Sequence, residues 1–394
     1  LPQRARTRAM IERDLKPGWK VWRFDQMATN VNVRIDNPSE SGMEHYVGLE
    51  HLDADSLKIR RWGTPDDVEA TKLMFKKGDI IFGRRRAYQR KLGVAEFDGI
   101  CSAHALVLRA KPEVVLPEFL PYFMQSELFM NRAVEISVGS LSPTINWKTM
   151  AVQEFTLPPL EEQQRILTLF LAVEESLESL GDAKAASEKL FDSALLDAFE
   201  NIANAKLKKV KECYEIQLGK MSSEKARLGE NQKIYIKNNN VLWGKFDFSE
   251  LPQMSFDARE IEKYSLRYGD LLVCEGGEIG RAAIWKEAIP GMLYQKALHR
   301  LRPKTEDDIP EFMFHYLRYC AKRGVLEGVA TGTTIRHLPV EQLAELQLPF
   351  PPQQEQKEIA QALTAITDGI ACIGERLNAA KKVKAQALLD AIAG

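Results

Sequence analysis

The chain has 394 residues, which is more than one hydrophobic core usually organises, so at least two domains are predicted. It has no run of about 18 apolar residues and only five scattered cysteines without a C-x-x-C pair. This argues against a membrane span, a secretory signal, a disulfide framework and a zinc site, and favours a cytoplasmic protein. The net charge of −1 conceals an uneven distribution, since residues 159–200 carry 3 Lys or Arg against 10 Asp or Glu.

Residues 1–158 form the first predicted domain, which begins with a basic N-terminal arm. Behind the arm, short β-branched runs such as "GDIIF" (78–82) and "ALVLR" (105–109) are bounded by turn residues. The stretch "PEFLPYFMQSELFMNRAV" (117–134) has a helical pattern instead. Together these patterns predict a mixed α/β domain with a twisted or barrel-like sheet.

A strongly basic loop, "GRRRAYQRK" (83–91), directly follows a predicted strand. Arginine can form ion pairs with phosphates or bind guanine through two parallel hydrogen bonds. Tyrosine can stack on a base or donate a hydrogen bond to a phosphate. A solvated loop with surface charge is the alternative, but five cations within eight residues favour nucleic-acid binding. The predicted contacts are Arg84, Arg85, Arg86, Tyr88, Arg90 and Lys91, together with Lys148 from the polar segment "GSLSPTINWK" (139–148).

Residues 159–205 begin at a proline and contain no other, which predicts one long helix. The second half of the chain then repeats the first at an offset of about 190 residues. "PLEEQQRI" (159–166) matches "PQQEQKEI" (352–359) as P-x-x-E-Q-x-x-I, and "ALLDAF" (194–199) matches "ALLDAI" (387–392). One duplicated unit is therefore predicted, with a second α/β domain at 206–350 and a second long helix at 351–394.

Apolar residues recur at heptad spacing along both long helices, and 17 of 20 such positions are apolar. This spacing favours a coiled coil over two helices that each pack on their own domain. If two equivalent members of a repeat pair with each other, a pseudo-twofold axis makes the pair antiparallel and holds one globular domain at each end. The predicted seam is Ile166, Phe170, Val173, Leu177, Leu180, Ile359, Leu363, Ile366, Ile370, Ile373 and Leu377.

The second α/β domain carries different polar chemistry from the first at its matching loops. "KNNNVLWGK" (237–245) offers amides suited to adenine edges and lysines suited to phosphates, although a run of asparagines is also typical of a turn. The segment "TGTTIRH" (331–337) precedes the second helix as "GSLSPTINWK" precedes the first. The predicted contacts are Lys237, Asn238, Asn239, Asn240, Lys245, Thr333, Arg336 and His337.

No catalytic motif is evident, since the chain has no G-x-x-x-x-G-K-[ST], no H-E-x-x-H and no G-x-S-x-G. "PDDVEATK" (65–72) resembles a nuclease P-D…E-x-K motif, but its spacing before Lys72 is wrong by one residue. A divergent nuclease that uses Asp66, Glu69 and Lys72 is therefore the alternative in the enzyme class. A structural adaptor without DNA contact is a third possibility.

These features together resemble the DNA-specificity (S) subunit of type I restriction-modification systems, in which two target-recognition domains alternate with two repeated helical regions. The similarity covers nearly the whole chain. It is carried by the duplicated P-x-x-E-Q-x-x-I motif, the G-D-[IL]-[IL] turns at Gly78 and Gly269, the "ALLDA" helix ends, "HYVGLEHLD" (45–53) and "YIKNNNVLWGKFDF" (235–248).

The resemblance implies a non-catalytic subunit that binds double-stranded DNA at a split, asymmetric target. It implies that the long helices form an antiparallel coiled coil that sets the gap between the half-sites. It also implies two methyltransferase subunits around those helices, with motor-nuclease subunits joining for restriction. S-adenosylmethionine and ATP would then bind the partner subunits rather than this chain.

Overall fold

The structure, a computed structural model, describes residues 15–202, 205–330 and 336–392, with backbone alone at 390–392. The chain divides into two compact units. The first unit takes the residues up to Leu180 together with those from Arg376 onward, and the second unit is Gly181–Glu375. Each of the two long predicted helices therefore contributes one part to each unit.

The first unit combines short strands and helices, which confirms the predicted mixed α/β class. Its strands are β1 (Lys20–Arg23), β2 (Ala28–Val31), β3 (Arg34–Ile35), β4 (Tyr46–Val47), β5 (Lys72–Phe75), β6 (Ile80–Gly83), β7 (Leu92–Val94), β8 (Gly99–Ser102), β9 (Ala105–Ala110) and β10 (Glu154–Leu157). Its short helices are α1 (Phe24–Met27), α2 (Phe119–Gln125), α3 (Glu127–Glu135) and α4 (Trp147–Ala151).

Two four-stranded sheets build this unit, in the orders β2-β9-β6-β7 and β3-β5-β8-β4, and β1 pairs separately with β10. Strand β6 is buried on both faces, which explains its continuous apolar run. Ile80 and Phe82 join a core formed with the short helices, whereas Ile81 joins a second core with residues of β5 and β8. The first sheet is thus the middle layer of the unit.

The first long helix is α5 (Leu160–Glu200), which begins directly after Pro159 and confirms the helix predicted there. Gln163 of the P-x-x-E-Q motif is fully buried; its side chain donates to the carbonyls of Val114 and Pro158 and accepts from the Leu116 amide. The motif therefore fastens the helix start to the domain. Beyond it, half-buried or buried positions recur every three or four residues, at Ile166, Phe170, Val173, Leu177, Leu180, Lys184, Ser187, Phe191, Ala194 and Ala198.

The second unit repeats the mixed α/β plan. Its strands are β11 (Lys206–Lys209), β12 (Tyr214–Leu218), β13 (Gln232–Ile236), β14 (Val241–Leu242), β15 (Lys245–Phe246), β16 (Gln253–Ser255), β17 (Leu271–Cys274), β18 (Ala282–Ile284), β19 (Leu293–Tyr294), β20 (Leu298–Pro303) and β21 (Gln347–Phe350). Its short helices are α6 (Val210–Cys213), α7 (Glu224–Leu228), α8 (Ala258–Tyr264), α9 (Pro310–Lys322), α10 (Val325–Val329) and α11 (Val340–Glu345).

Sheet order in the second unit is β12-β20-β17-β18, with a three-stranded sheet β16-β13-β19 and the pairs β11-β21 and β14-β15. Strand β17 alternates like β6 of the first unit. Leu271 and Val273 join one core, and Leu272 and Cys274 join another. The duplicated sequence thus folds into duplicated layers.

The second long helix is α12 (Gln353–Ile392), as predicted. Gln356 is buried at the place of Gln163, and its amide donates to the Pro351 carbonyl. No helix in the described ranges combines the length and apolarity that crossing a membrane requires. Half-buried or buried positions recur along α12 at Ile359, Leu363, Ile366, Ile370, Ile373, Leu377, Ala380, Lys384 and Ala387.

The repeated G-D-[IL]-[IL] turns have one structural explanation. The buried Asp79 carboxylate accepts two hydrogen bonds from the Arg109 guanidinium, at 2.7 and 2.8 Å, and one from the Lys76 amide. Asp270 accepts in the same way from Arg302, at 2.7 Å for both bonds, and from the Arg267 amide. In each unit an ion pair to a buried aspartate therefore stabilises the turn before the middle strand, where Gly78 and Gly269 have positive φ.

Candidate functional site

Two segments that sequence analysis predicted separately as contacts lie side by side in the first unit. Arg85 forms a β-bridge with Thr144, the Arg86 amide donates to the Pro143 carbonyl at 2.7 Å, and the Ile145 amide donates to the Arg84 carbonyl at 2.9 Å. The basic loop after β6 and the polar segment before α4 thus form one surface.

Ser142 anchors two arginines of this surface. Its hydroxyl oxygen accepts from Arg85 Nε at 2.7 Å and from Arg86 Nε at 3.2 Å. Both arginines are exposed, and Arg86 has a positive φ of 58° that turns the chain sharply. These bonds occupy Nε, and no described residue is hydrogen-bonded to the terminal Nη groups of the two arginines, so these groups can bind a ligand.

Other members of the predicted set are engaged within the fold. Arg90 forms ion pairs with Asp55 and Glu127 and donates to the Gln125 carbonyl. Lys91 donates to the Leu49 carbonyl at 2.6 Å. Arg90 and Lys91 thus both have partners within the protein, and neither needs a bound ligand to explain its position. In contrast, Tyr88 has 56 % of its surface exposed, and Lys148 is exposed on α4.

His104 joins the basic surface, although sequence analysis did not select it. Strands β6 and β9 pair Gly83 with Ala105, so the next residues outward, Arg84 and His104, lie next to each other. Partial burial, followed by the charges of Arg85, Arg84 and Lys72, holds the pKa of His104 below its usual value. The imidazole is therefore neutral at neutral pH and has both a donor and an acceptor nitrogen.

The asparagine loop of the second unit is largely committed to its own turn. Asn240 is buried, and its amide donates to the carbonyls of Asp247 and Glu250. Asn238 donates to the Gly276 carbonyl and accepts from Arg281. The Nζ atom of Lys237 lies 3.4 Å from a carboxylate oxygen of Glu250. Asn239 and Lys245 are exposed.

The segment before α11 lies against the loop after β17. His337 forms a β-bridge with Gly276, and the Leu338 amide donates to the Glu275 carbonyl at 2.7 Å. Arg336 is exposed, with a guanidinium nitrogen 3.9 Å from Glu327. Thr333, also a predicted contact, lies outside the described residues. The pairing of Gly276 with His337 corresponds to that of Arg85 with Thr144 in the first unit.

The loop after the middle strand differs chemically between the units. The duplicated turns align Arg84, Arg85 and Arg86 with Glu275, Gly276 and Gly277. Glu275 is the structural equivalent of Arg84. The backbone amide of Glu275 donates to the carbonyl of Ala297, and Ala297 is the counterpart of His104. Sequence analysis missed Glu275, although extending its own alignment of the G-D turns would have shown the contrast.

The three residues of the nuclease alternative do not form a catalytic centre in the described part of the chain. Lys72 is buried, donates to the Ala70 carbonyl and lies 5.8 Å from the centroid of the Tyr46 ring. Asp66 and Glu69 are exposed. Within residues 15–202, 205–330 and 336–392, no group of three or more His, Cys, Asp and Glu side chains could hold a metal ion.

Comparison with known proteins places this arrangement in context. The profile of the family described as "Type I restriction modification DNA specificity domain" matches residues 63–184 and 203–382. The chain is 27% identical over 231 residues to the type I restriction enzyme EcoDI specificity subunit of Escherichia coli, over 52% of this chain and 51% of that protein. The match thus spans about half the length of that relative.

A longer match covers 81% of this chain and 79% of a putative type I restriction enzyme MjaX specificity subunit of Methanocaldococcus jannaschii, at 24% identity over 350 residues. One solved chain, from work on complex assembly and conformational transition of the type I R-M system, shares the fold. Its TM-score is 0.64 at 20% identity, with 97% of this chain and 99% of that chain covered.

Proposed function

Because this chain belongs to the type I restriction modification DNA specificity family, whose profile matches more than half of its residues, we propose that it recognises a bipartite, asymmetric DNA target. The first unit binds one half-site and the second unit binds the other. Partner subunits carry out the chemistry at the target that this chain selects.

The observation that supports this function best is the joining of two contact segments in each unit. The loop after the middle strand pairs with the segment that precedes α4 or α11. In the first unit this pairing gathers exposed arginines, which suit phosphates and guanine edges. We therefore assign DNA contact to Arg84, Arg85, Arg86, Tyr88, Lys148, Asn239, Lys245, Thr333, Arg336 and His337, with Arg90, Lys91, Lys237, Asn238 and Asn240 shaping the loops that present them.

We further propose that α5 and α12 pair as an antiparallel coiled coil. In the first unit, Ile166 packs in the same cluster as Ala387, and Glu174 forms an ion pair with Lys384. In the second unit, Phe191 belongs to the same cluster as Leu363. Residue numbers rise along α5 as they fall along α12, which is the order an antiparallel pair requires. Residues 159–205 and 351–394 then separate recognition domains 1–158 and 206–350.

This role assigns the remaining components to partner subunits. Two methyltransferase subunits would pack around the helices and bind S-adenosylmethionine, and motor-nuclease subunits would bind ATP. The chain itself would hold no cofactor and catalyse no step. Its place of action would be the cytoplasm, where DNA and these partners are accessible.

A salt series tests DNA contact by the basic loop. The chain, assembled with its methyltransferase partners, is titrated with duplex DNA as wild type and with Arg84, Arg85 and Arg86 all changed to Ala. We expect weaker binding and a shallower dependence of affinity on salt, with the slope falling by roughly 0.9 for each phosphate that the variant no longer neutralises. Unchanged binding would support the adaptor alternative. Metal-dependent cutting by the isolated chain would support the nuclease alternative.

A further inference from the structure

The two units differ in the charge of one equivalent loop. In the first unit, the loop after β6 presents three arginines next to His104. In the second unit, the loop after β17 has a carboxylate and two glycines at the matching positions, next to Ala297. The β-bridge of the loop is retained, whereas the side chains at these three positions differ.

The first loop is arranged to donate hydrogen bonds. The Ser142 hydroxyl accepts from the Nε atoms of Arg85 and Arg86, which orients the two guanidinium groups, and their Nη groups have no hydrogen-bond partner among the residues that the structure describes. Arg84 Nε is buried without a hydrogen-bond partner in the described part of the chain. Guanine is the base whose major-groove edge presents two adjacent acceptors, N7 and O6, to a fixed pair of donors.

The second loop is arranged to accept hydrogen bonds. The Glu275 carboxylate is half-buried and, among the described residues, takes part in no hydrogen bond or ion pair. The charge of Glu275 acts on the imidazole of His299, but burial still holds the pKa of that imidazole below its usual value, so His299 does not neutralise the carboxylate. A carboxylate repels phosphate, so this loop does not suit contact with the DNA backbone. It suits an exocyclic amino group of cytosine or adenine.

Given the proposed DNA recognition, on which this inference rests, we propose that the two half-sites are recognised by opposite hydrogen-bonding chemistry. Arg85, supported by Arg84 and His104, donates to a guanine in one half-site. Glu275 accepts from a cytosine or adenine amino group in the other half-site.

The test maps methylated sites in DNA treated with the complex of this chain and its methyltransferase partners. Wild type is compared with Arg85→Lys and Glu275→Gln. Lysine keeps the charge but loses the planar two-pronged fork. We expect Arg85→Lys to weaken the preference for a G·C pair at one position of one half-site. Glu275→Gln, which keeps an acceptor and adds a donor, should change the base preference at one position of the other half-site. Each change should be roughly 5- to 100-fold in discrimination. Arg34→Ala and Glu262→Gln, both at exposed positions, are the matched controls.

Each outcome bears on a separate claim. If wild type shows no bipartite target, the proposed function fails. If wild type shows one but both variants lower methylation uniformly without changing the preferred bases, the loops contact the backbone and the inference is overturned. Relaxation of the same half-site by both variants overturns it as well. Glu275→Ala is tested in parallel, since removal of the whole carboxylate should relax the same position further.

Discussion

At the residue scale, the charged side chains of this protein divide into those that hold the fold and those that remain available to a ligand. Lys91 and Arg281 occupy equivalent places, and each donates to the carbonyl of a residue in the short helical turn beside it, Leu49 or Asn238. Sequence alone assigned Lys91 to DNA. The structure shows that this lysine supports the neighbouring loop.

The buried ion pair of the G-D turn gives a prediction for stability. Asp270→Ala leaves Arg302, whose side chain is 19% exposed, without its carboxylate partner. Because the unpaired charge stays mostly buried, we expect a loss of about 3 kcal/mol in the free energy of unfolding. Chemical denaturation monitored by circular dichroism measures it. The exposed Asp307→Ala control should change stability by less than about 0.5 kcal/mol, and an equal effect of both substitutions would refute the role of the pair.

A buried histidine predicts how stability depends on pH. His315 Nε2 lies 3.0 Å from the Thr364 hydroxyl, and burial, with a smaller effect of Arg318, lowers the pKa of His315 to about 3. The unfolded chain then binds a proton that the folded chain excludes between about pH 6.5 and pH 3, so stability falls as pH falls through that window.

We expect this histidine to cost about 1 kcal/mol of stability between about pH 7.5 and pH 5.5. Denaturation curves at both values, for wild type and His315→Gln, measure the effect. The glutamine variant should lose that part of the pH dependence, whereas His337→Gln, at an exposed position, should retain it. Identical pH dependence in wild type and His315→Gln would contradict the assignment.

Sequence analysis identified the basic loop at the residue scale because its charge is local. It could not separate Arg85 from Arg90, since partners such as Ser142 and Asp55 lie far away in sequence. His104 was missed for the same reason: only the strand register brings it next to Arg84. Charge density can be obtained from the sequence, but hydrogen-bond partners depend on the tertiary fold.

At the element scale, the long helices were predictable because their apolar period extends over many turns and each begins at a proline-initiated motif. Their burial follows that period, with exposed residues between the seam positions. The two "ALLDA" ends also have an explanation. Ala194 and Ala198 pack against the core of the second unit, and Ala387 packs beside Leu167 in the first. Small residues allow the close approach that these positions need.

A pair of adjacent residues tests the seam. Phe170 is 1% exposed, and the centroid of its ring lies 5.2 Å from the centroid of the Tyr122 ring. Leu171, in contrast, is 51% exposed. Phe170→Ala should lower the free energy of unfolding by about 3 to 4 kcal/mol, because it leaves a cavity in the core. Leu171→Ala should change it by less than about 0.5 kcal/mol, as expected for a surface site. Thermal denaturation of both variants measures these changes. Equal losses in the free energy of unfolding would argue against the seam.

The proposed spacer role of the two long helices gives a prediction about length. Inserting one heptad after Leu180 and another after Ile373 preserves the seam in both helices. Since each residue adds 1.5 Å, the helices lengthen by about 10 Å, or about three base pairs of DNA. We expect the gap between half-sites to grow by about that amount while the half-sites stay the same. An unchanged gap in the methylated sites would contradict the spacer, and a heptad in α5 alone serves as the mismatched control.

At the scale of the whole molecule, duplication explains both what is alike and what differs. The ion pairs to a buried aspartate, the buried glutamines of the helix starts and the layered sheets occur in both units, because both units fold from the same duplicated motifs. The loops carry different side chains, as recognition of the two different half-sites proposed for this protein requires. The repeat, the fold class and the family were therefore predictable from sequence, whereas the strand pairing was needed to show that the oppositely charged loops occupy equivalent places.

The most direct test of the central claim is a map of methylated bases in DNA treated with the complex of this chain and its methyltransferase partners. We predict one asymmetric target with two different specified half-sites, separated by a gap of fixed length and unspecified sequence. A palindromic target, a continuous target without a gap, or methylation without any sequence preference would contradict the account of two unlike recognition units on one spacer.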